Sequence, residues 1–180
     1  SSDYKIQAKP KENSSTEYII QKSDGKLKMK GVNIQLLDDK RVFSNIKGQT
    51  YLKNNEIGLD NITLIINKSD FKIDGVFRNL SDYFSGKGNL EANIELESKY
   101  IDLADLGTDT KQEKLEQERR YILPNDIYGE VYIDIKKLKY EKHSFFKLAG
   151  NMILNGRIID FPTVSFKNGG ADAFGSIKIE

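Results

Sequence analysis

The sequence predicts a mostly β protein built as a long, twisted antiparallel meander sheet, and three observations carry that prediction. The stretch "GNLEANIELES" alternates Leu90, Ala92, Ile94 and Leu96 against Glu91, Asn93, Glu95 and Glu97 without a fault, the period of two of a strand with one dry face. Segments of this kind recur along most of the chain, separated by short Asn, Asp and Gly turn signals. Helical periodicity of any length is confined to one charged stretch, "TDTKQEKLEQERRY".

Taken in order, "GKLKMKGVNIQLL" places Leu27 and Met29 on odd positions but Val32, Ile34 and Leu36 on even ones. Its phase slips at Gly31, where a bulge re-aims the strand. Turns are expected at Asp38-Asp39-Lys40 and at Asn54-Asn55, on either side of the strand "RVFSNIKGQTYL", with "EIGLDNITLIIN" following. "SDFKIDGVFR" then sets Phe71, Ile73, Gly75 and Phe77 against Asp70, Lys72, Asp74 and Arg78 before its period breaks at Asn79. In "GEVYIDIKKLKY", Val131, Ile133 and Ile135 oppose Glu130, Tyr132, Asp134 and Lys136. Further meander follows, with Asn155-Gly156 reading as a type I′ hairpin and Asn168-Gly169-Gly170 as the last turn.

Three segments break the strand pattern. Leu80, Tyr83 and Phe84, and again Ile101, Leu103 and Leu106, have near-helical spacing and are expected to form brief plugs over a sheet edge or mouth. Residues 108–121 form a charged helical or flexible insertion, in which Thr110 and Glu113 match a capping box but almost no apolar face follows.

Composition bounds the function. The 180 residues suit a single domain. With 28 basic against 27 acidic residues the formal charge is +1, so no global field recruits nucleic acid. The absence of Cys removes disulfides, thiolate metal sites and a Cys nucleophile while leaving the compartment open. No run approaches the roughly 20 apolar residues of a membrane-spanning helix. The alternation in "AFGSIKIE" runs to Glu180 without a cap, so the chain reads as a segment of a longer protein.

An enzyme is not expected, and neither a metal nor a cofactor. The single His, His143, neighbours Ser144, but adjacent strand residues face opposite ways and do not form a nucleophile–base pair. Asp102, Asp105 and Asp109 lack the spacing and central Gly of a calcium loop. The glycines lie at turns rather than in a phosphate cradle. Matches to N-x-S/T at Asn13, Asn61, Asn67 and Asn79 read as incidental. One-sided alternation alone leaves two architectures open, an ordinary sandwich core or an exposed apolar trough.

A succession of motifs bears on that choice. Asn79-Leu80 with Tyr83, Ser98 with Ile101-Asp102-Leu103, Leu123-Pro124 ahead of a long strand, and Gly169-Gly170 ahead of the closing strand occur in an order that resembles the AsmA family of bacterial envelope proteins, across roughly residues 26–180. The resemblance implies a sheet curled into an open apolar groove, related to bridge-like lipid carriers, in a periplasmic body whose parent is anchored in the inner membrane by an N-terminal helix that this chain lacks. It implies a non-enzymatic role in phospholipid transport between the two membranes and in outer-membrane biogenesis. The partners it implies are phospholipid acyl chains, other segments of the same chain and envelope proteins, without nucleic acid.

On that reading Phe71, Ile73, Phe77, Ile94, Leu96, Val131, Ile133, Ile135, Met152 and Leu154 line the groove. Leu80, Tyr83, Phe84, Leu103 and Leu106 are the plug residues. The alternative is a structural or partner-binding β-scaffold of the envelope whose apolar face is closed by protein or whose sheet edges pair with a partner strand.

Overall fold

A computed structural model describes residues 2–10, 18–35, 41–106 and 126–179, with side chains from residue 24 onward. The Asp38-Asp39-Lys40 turn, Leu36, Asn13, Asp109, the 108–121 insertion, Leu123-Pro124 and Glu180 lie outside the described residues.

The described strands are β1 (Ser2–Pro10), β2 (Tyr18–Gln35), β3 (Val42–Lys53), β4 (Glu56–Ile66), β5 (Ser69–Arg78), β6 (Leu90–Ser98), β7 (Ile101–Asp102), β8 (Ile127–Tyr140), β9 (His143–Asn155), β10 (Ile158–Asn168) and β11 (Ala171–Ile179). Two short helices, α1 (Leu80–Phe84) and α2 (Leu103–Leu106), interrupt them. All eleven strands belong to one sheet, ordered β1-β2-β3-β4-β5-β6-β8-β9-β10-β11 with β7 on β8, and its ends do not meet.

The expected meander holds on both sides of one seam. β6 and β8 are parallel, with Ile94 opposite Val131 and Leu96 opposite Ile133, and β7 also runs parallel to β8. Parallel neighbours require a crossover rather than a hairpin, and β7 and α2 lie in that connection.

Local backbone chemistry explains the turns and bulges. The two-residue hairpins at Asn54, Asn67, Glu141, Gly156 and Gly169 each place their first residue in the left-handed region, which Asn and Gly tolerate best. The β9–β10 turn differs from the type I′ expectation. Its central residues are Gly156 and Arg157, and of the pair only Gly156 has positive φ, the pattern of a type II′ turn with Gly first. The register slips between Lys30 and Val32 at Gly31, as the phase change predicts. It slips again between Leu59 and Ile62, where Asn61 takes φ 49°. Asn61, Asn67 and Asn79 are all left-handed, which accounts for their residue type without glycosylation.

Bulges together with Gly75 (φ 146°) and Gly129 (φ 143°) bend the sheet. A Cβ at Gly75 would strike the Asn93 carbonyl oxygen, and one at Gly129 the Ala92 carbonyl oxygen. Ala92 and Ile94 flank that close approach on β6, so backbone meets backbone closely at the centre of the sheet.

No second sheet exists among the described residues, so a two-sheet sandwich core is ruled out for them. The buried apolar side chains are few: Ile46, Ile62, Ala92, Ile101, Val131, Ile133, Ile135 and Val164. On a single layer a side chain is shielded mainly by neighbours on its own face. Ile133 is 8% exposed while adjacent Tyr132 is 51% exposed, so the apolar face is the drier of the two along β8.

Candidate apolar groove

Strand register brings all ten expected groove residues onto one face of four consecutive strands. Ile73, Leu96 and Ile133 form one rung across β5, β6 and β8. Ile94, Val131 and Met152 form a second across β6, β8 and β9. Phe77, Ala92, Gly129 and Leu154 form a third that spans all four strands. Ile135 lies opposite Ser98 and Leu148, and Phe71 opposite Leu64. Val131, Ile133 and Ile135 make the dry floor, and the other seven are half-buried and open to contact.

The face is wider than the sequence reading. On β4, Ile57, Leu59, Ile62 and Leu64 stand opposite Phe77, Gly75, Ile73 and Phe71, so they extend the same rungs. Their phase reverses across Asp60-Asn61, and the sequence signal that reveals them is that reversal at an Asn. On the other side, Val164 meets Gly150 and Ile159 meets Leu154, carrying the apolar face onto β10.

The two short helices form at the expected plug segments, and neither contains a buried residue. Phe84 is 78% exposed and Leu103 is also exposed, while Leu80, Tyr83 and Leu106 are half-buried. α1 is fixed through its backbone, with the Leu80 amide donating to the Asn55 carbonyl at 3.2 Å and the Ser81 amide to the Asn55 side chain. A single turn has too short an apolar stripe to seat Leu80, Tyr83 and Phe84 together, and Phe84 instead meets the Tyr83 ring edge-on at 5.5 Å.

The Ser98…Ile101-Asp102-Leu103 motif has a physical role in the crossover. Asp102 is buried and accepts from Lys139 Nζ at 2.8 Å, from the Ala104 amide at 3.2 Å and from the Tyr100 hydroxyl at 3.3 Å. Its own amide donates to the buried Ser69 hydroxyl at 3.0 Å. Asp70 completes the knot by accepting from the Lys99 and Tyr100 amides. The Lys139 ammonium holds the Asp102 carboxyl below the ordinary carboxylate range, against the opposing effect of burial. Asp102 in return raises Lys139. Desolvation first, and Asp102 second, push the Tyr100 phenol up.

The opposite face is polar. A shallow hollow of about 310 Å³ there is lined by Asp74, Asn93, Glu95, Glu130, Tyr132 and Asn151 among others. Among the described residues no group of three or more His, Asp or Glu side chains is placed to hold a metal, and no helix is long and apolar enough to cross a membrane. No known family, curated protein or solved structure matches the chain.

Proposed function

We propose that the apolar face of the sheet holds phospholipid acyl chains, and that the protein is a groove-forming segment of a periplasmic lipid carrier of the AsmA type, serving transport between the membranes and outer-membrane biogenesis. The observation that carries this reading is the continuous apolar row across β4, β5, β6, β8 and β9, with no second sheet over it among the described residues. A protein rarely leaves more than a few hundred Å² of such surface bare. Each methylene laid on it gains about 0.8 kcal/mol, and because that attraction is non-directional a chain binds yet slides.

The test is a photoreactive residue at Ile133 or at Tyr132, irradiated in cells. Adjacent strand positions face opposite ways, so the pair resolves sidedness within one residue step. Lipid adducts at Ile133 and not at Tyr132 are expected. Protein-only adducts at Ile133, with the fold intact, would replace this reading with a scaffold whose face is closed by protein.

A second reading, strand addition at β11, which has one strand neighbour among the described residues, is favoured by one observation: Phe174 is 81% exposed there, with Ile177 and Ile179 also exposed. Competition by a peptide copying β10 distinguishes it, since that peptide would displace an edge-bound partner and leave groove-bound lipid in place.

A further inference from the structure

We infer that the tip of the β8–β9 hairpin is a docking surface for an anionic phospholipid bilayer. Between Lys136 and Lys147 the chain carries five lysines, His143 and a single acid, Glu141, so a formal charge of +1 overall conceals a concentrated basic element. Lys136, Lys142, Lys147 and His143 are exposed, and among the described residues none of these three lysines is in an ion pair. Lys147 adopts φ 51° where the β9–β10 register slips.

Among the described residues the nearby acids do not cancel this surplus. Asp102 is taken up by Lys139, and Asp172 pairs with Lys167 at 2.7 Å. Asp105 is half-buried in α2's first turn.

Aromatic rings accompany the charge. Tyr140 is 51% and Phe146 42% exposed, and Lys137 Nζ lies 5.7 Å from the centroids of both the Phe146 and Tyr100 rings. Lysines interleaved with amphipathic rings suit the bilayer interface, where the rings settle at headgroup level and the ammonium groups meet phosphate.

Position distinguishes this patch from the exposed lysines of β2. The floor row Val131, Ile133 and Ile135 continues on the same face of β8 into Lys137 and the ion-paired Lys139, so the apolar face gives way to lysine where the strand reaches the hairpin. An end-on approach would therefore present cations to headgroups while the apolar row points toward the acyl layer. The docking stands independently of whether the groove holds lipid.

The test uses the 180-residue chain, which has no tryptophan. Tyr140→Trp and Tyr132→Trp place a lone indole at two positions of equal exposure, one at the tip and one in mid-sheet. Vesicles of phosphatidylcholine mixed with phosphatidylglycerol should shift the Tyr140→Trp emission to the blue and leave Tyr132→Trp unchanged, whereas phosphatidylcholine alone should move neither. Lys136→Gln, Lys142→Gln and Lys147→Gln together should weaken co-sedimentation about a hundredfold, since each lysine near an anionic surface is worth roughly a factor of five.

The same charge change at Lys26, Lys28 and Lys30, exposed on β2, is expected to have a much smaller effect. Equal losses in the two triple variants would mean diffuse surface attraction and overturn the assignment. So would an indole shift at Tyr132 alone, or binding of the tip to a single-stranded oligonucleotide in preference to vesicles.

Discussion

Asp102 and Lys139 join the crossover to the sheet through a 2.8 Å ion pair in which the carboxylate is buried and the ammonium partly exposed. The carboxyl is held below its ordinary value, so the stability it contributes is complete above the ordinary carboxylate range of about 4 and is lost as pH falls through its lowered value. Lys139 is raised, so its contribution is complete below the ordinary lysine value of about 10.4 and is lost as pH rises through the elevated one. Protection of the Asp102 and Ala104 amides from hydrogen exchange, relative to their intrinsic rates at each pH, should accordingly be greatest between these limits. Asp102→Asn should flatten the acid limb, and an acid limb identical in that variant would place the titration elsewhere.

Sidedness within β8 predicts unequal stability losses. Ile133→Ala should lower unfolding free energy by about 2 kcal/mol or more, because a nearly dry side chain is removed from the floor. Tyr132→Ala, on the exposed face, should cost less than about 1 kcal/mol. Urea midpoints of the two variants check this, and equal losses would contradict the one-sided floor.

The half-buried rung offers a test that spares the fold. Replacing Ile94 and Met152 together by Gln should reduce binding of an apolar fluorescent dye to the native protein severalfold while leaving the circular dichroism spectrum unchanged. Undiminished dye binding would locate the accessible apolar surface outside these rungs.

Gly129→Ala should destabilise the sheet by about 1–3 kcal/mol, since the position combines φ 143° with a Cβ directed at the Ala92 carbonyl. Gly169→Ala meets no atom within 4 Å and retains only the left-handed strain of φ 58°, so it should cost less. Thermal midpoints compared side by side decide the ordering.

Much of the fold was legible. Faultless alternation in β6 and β8 identified which residues share a face, and the phase change at Gly31 located a bulge. Alternation says nothing about which strand lies alongside, so the parallel β6–β8 seam was illegible, as the Glu-rich polar row of β6 fits either direction. The apolar row of β4 escaped because Asn61 inverts its phase midway. Apolar spacing located both short helices but left open how deeply Leu80, Tyr83, Phe84, Leu103 and Leu106 are buried, because a stripe one turn long does not fix that. The basic hairpin was masked by averaging charge over the whole chain.

The open ladder of ten successive strands makes this a structure that scales by length. Neighbouring strands are spaced by about 4.8 Å, so the path from β1 to β11 covers roughly 43 Å measured along the hydrogen-bonding direction. Each strand is secured mainly by the strands beside it, as in a repeat array, rather than by a closed interior. Inserting or deleting one hairpin would lengthen or shorten the sheet while leaving the pairing of the remaining strands intact, so its span is adjustable without redesigning a core.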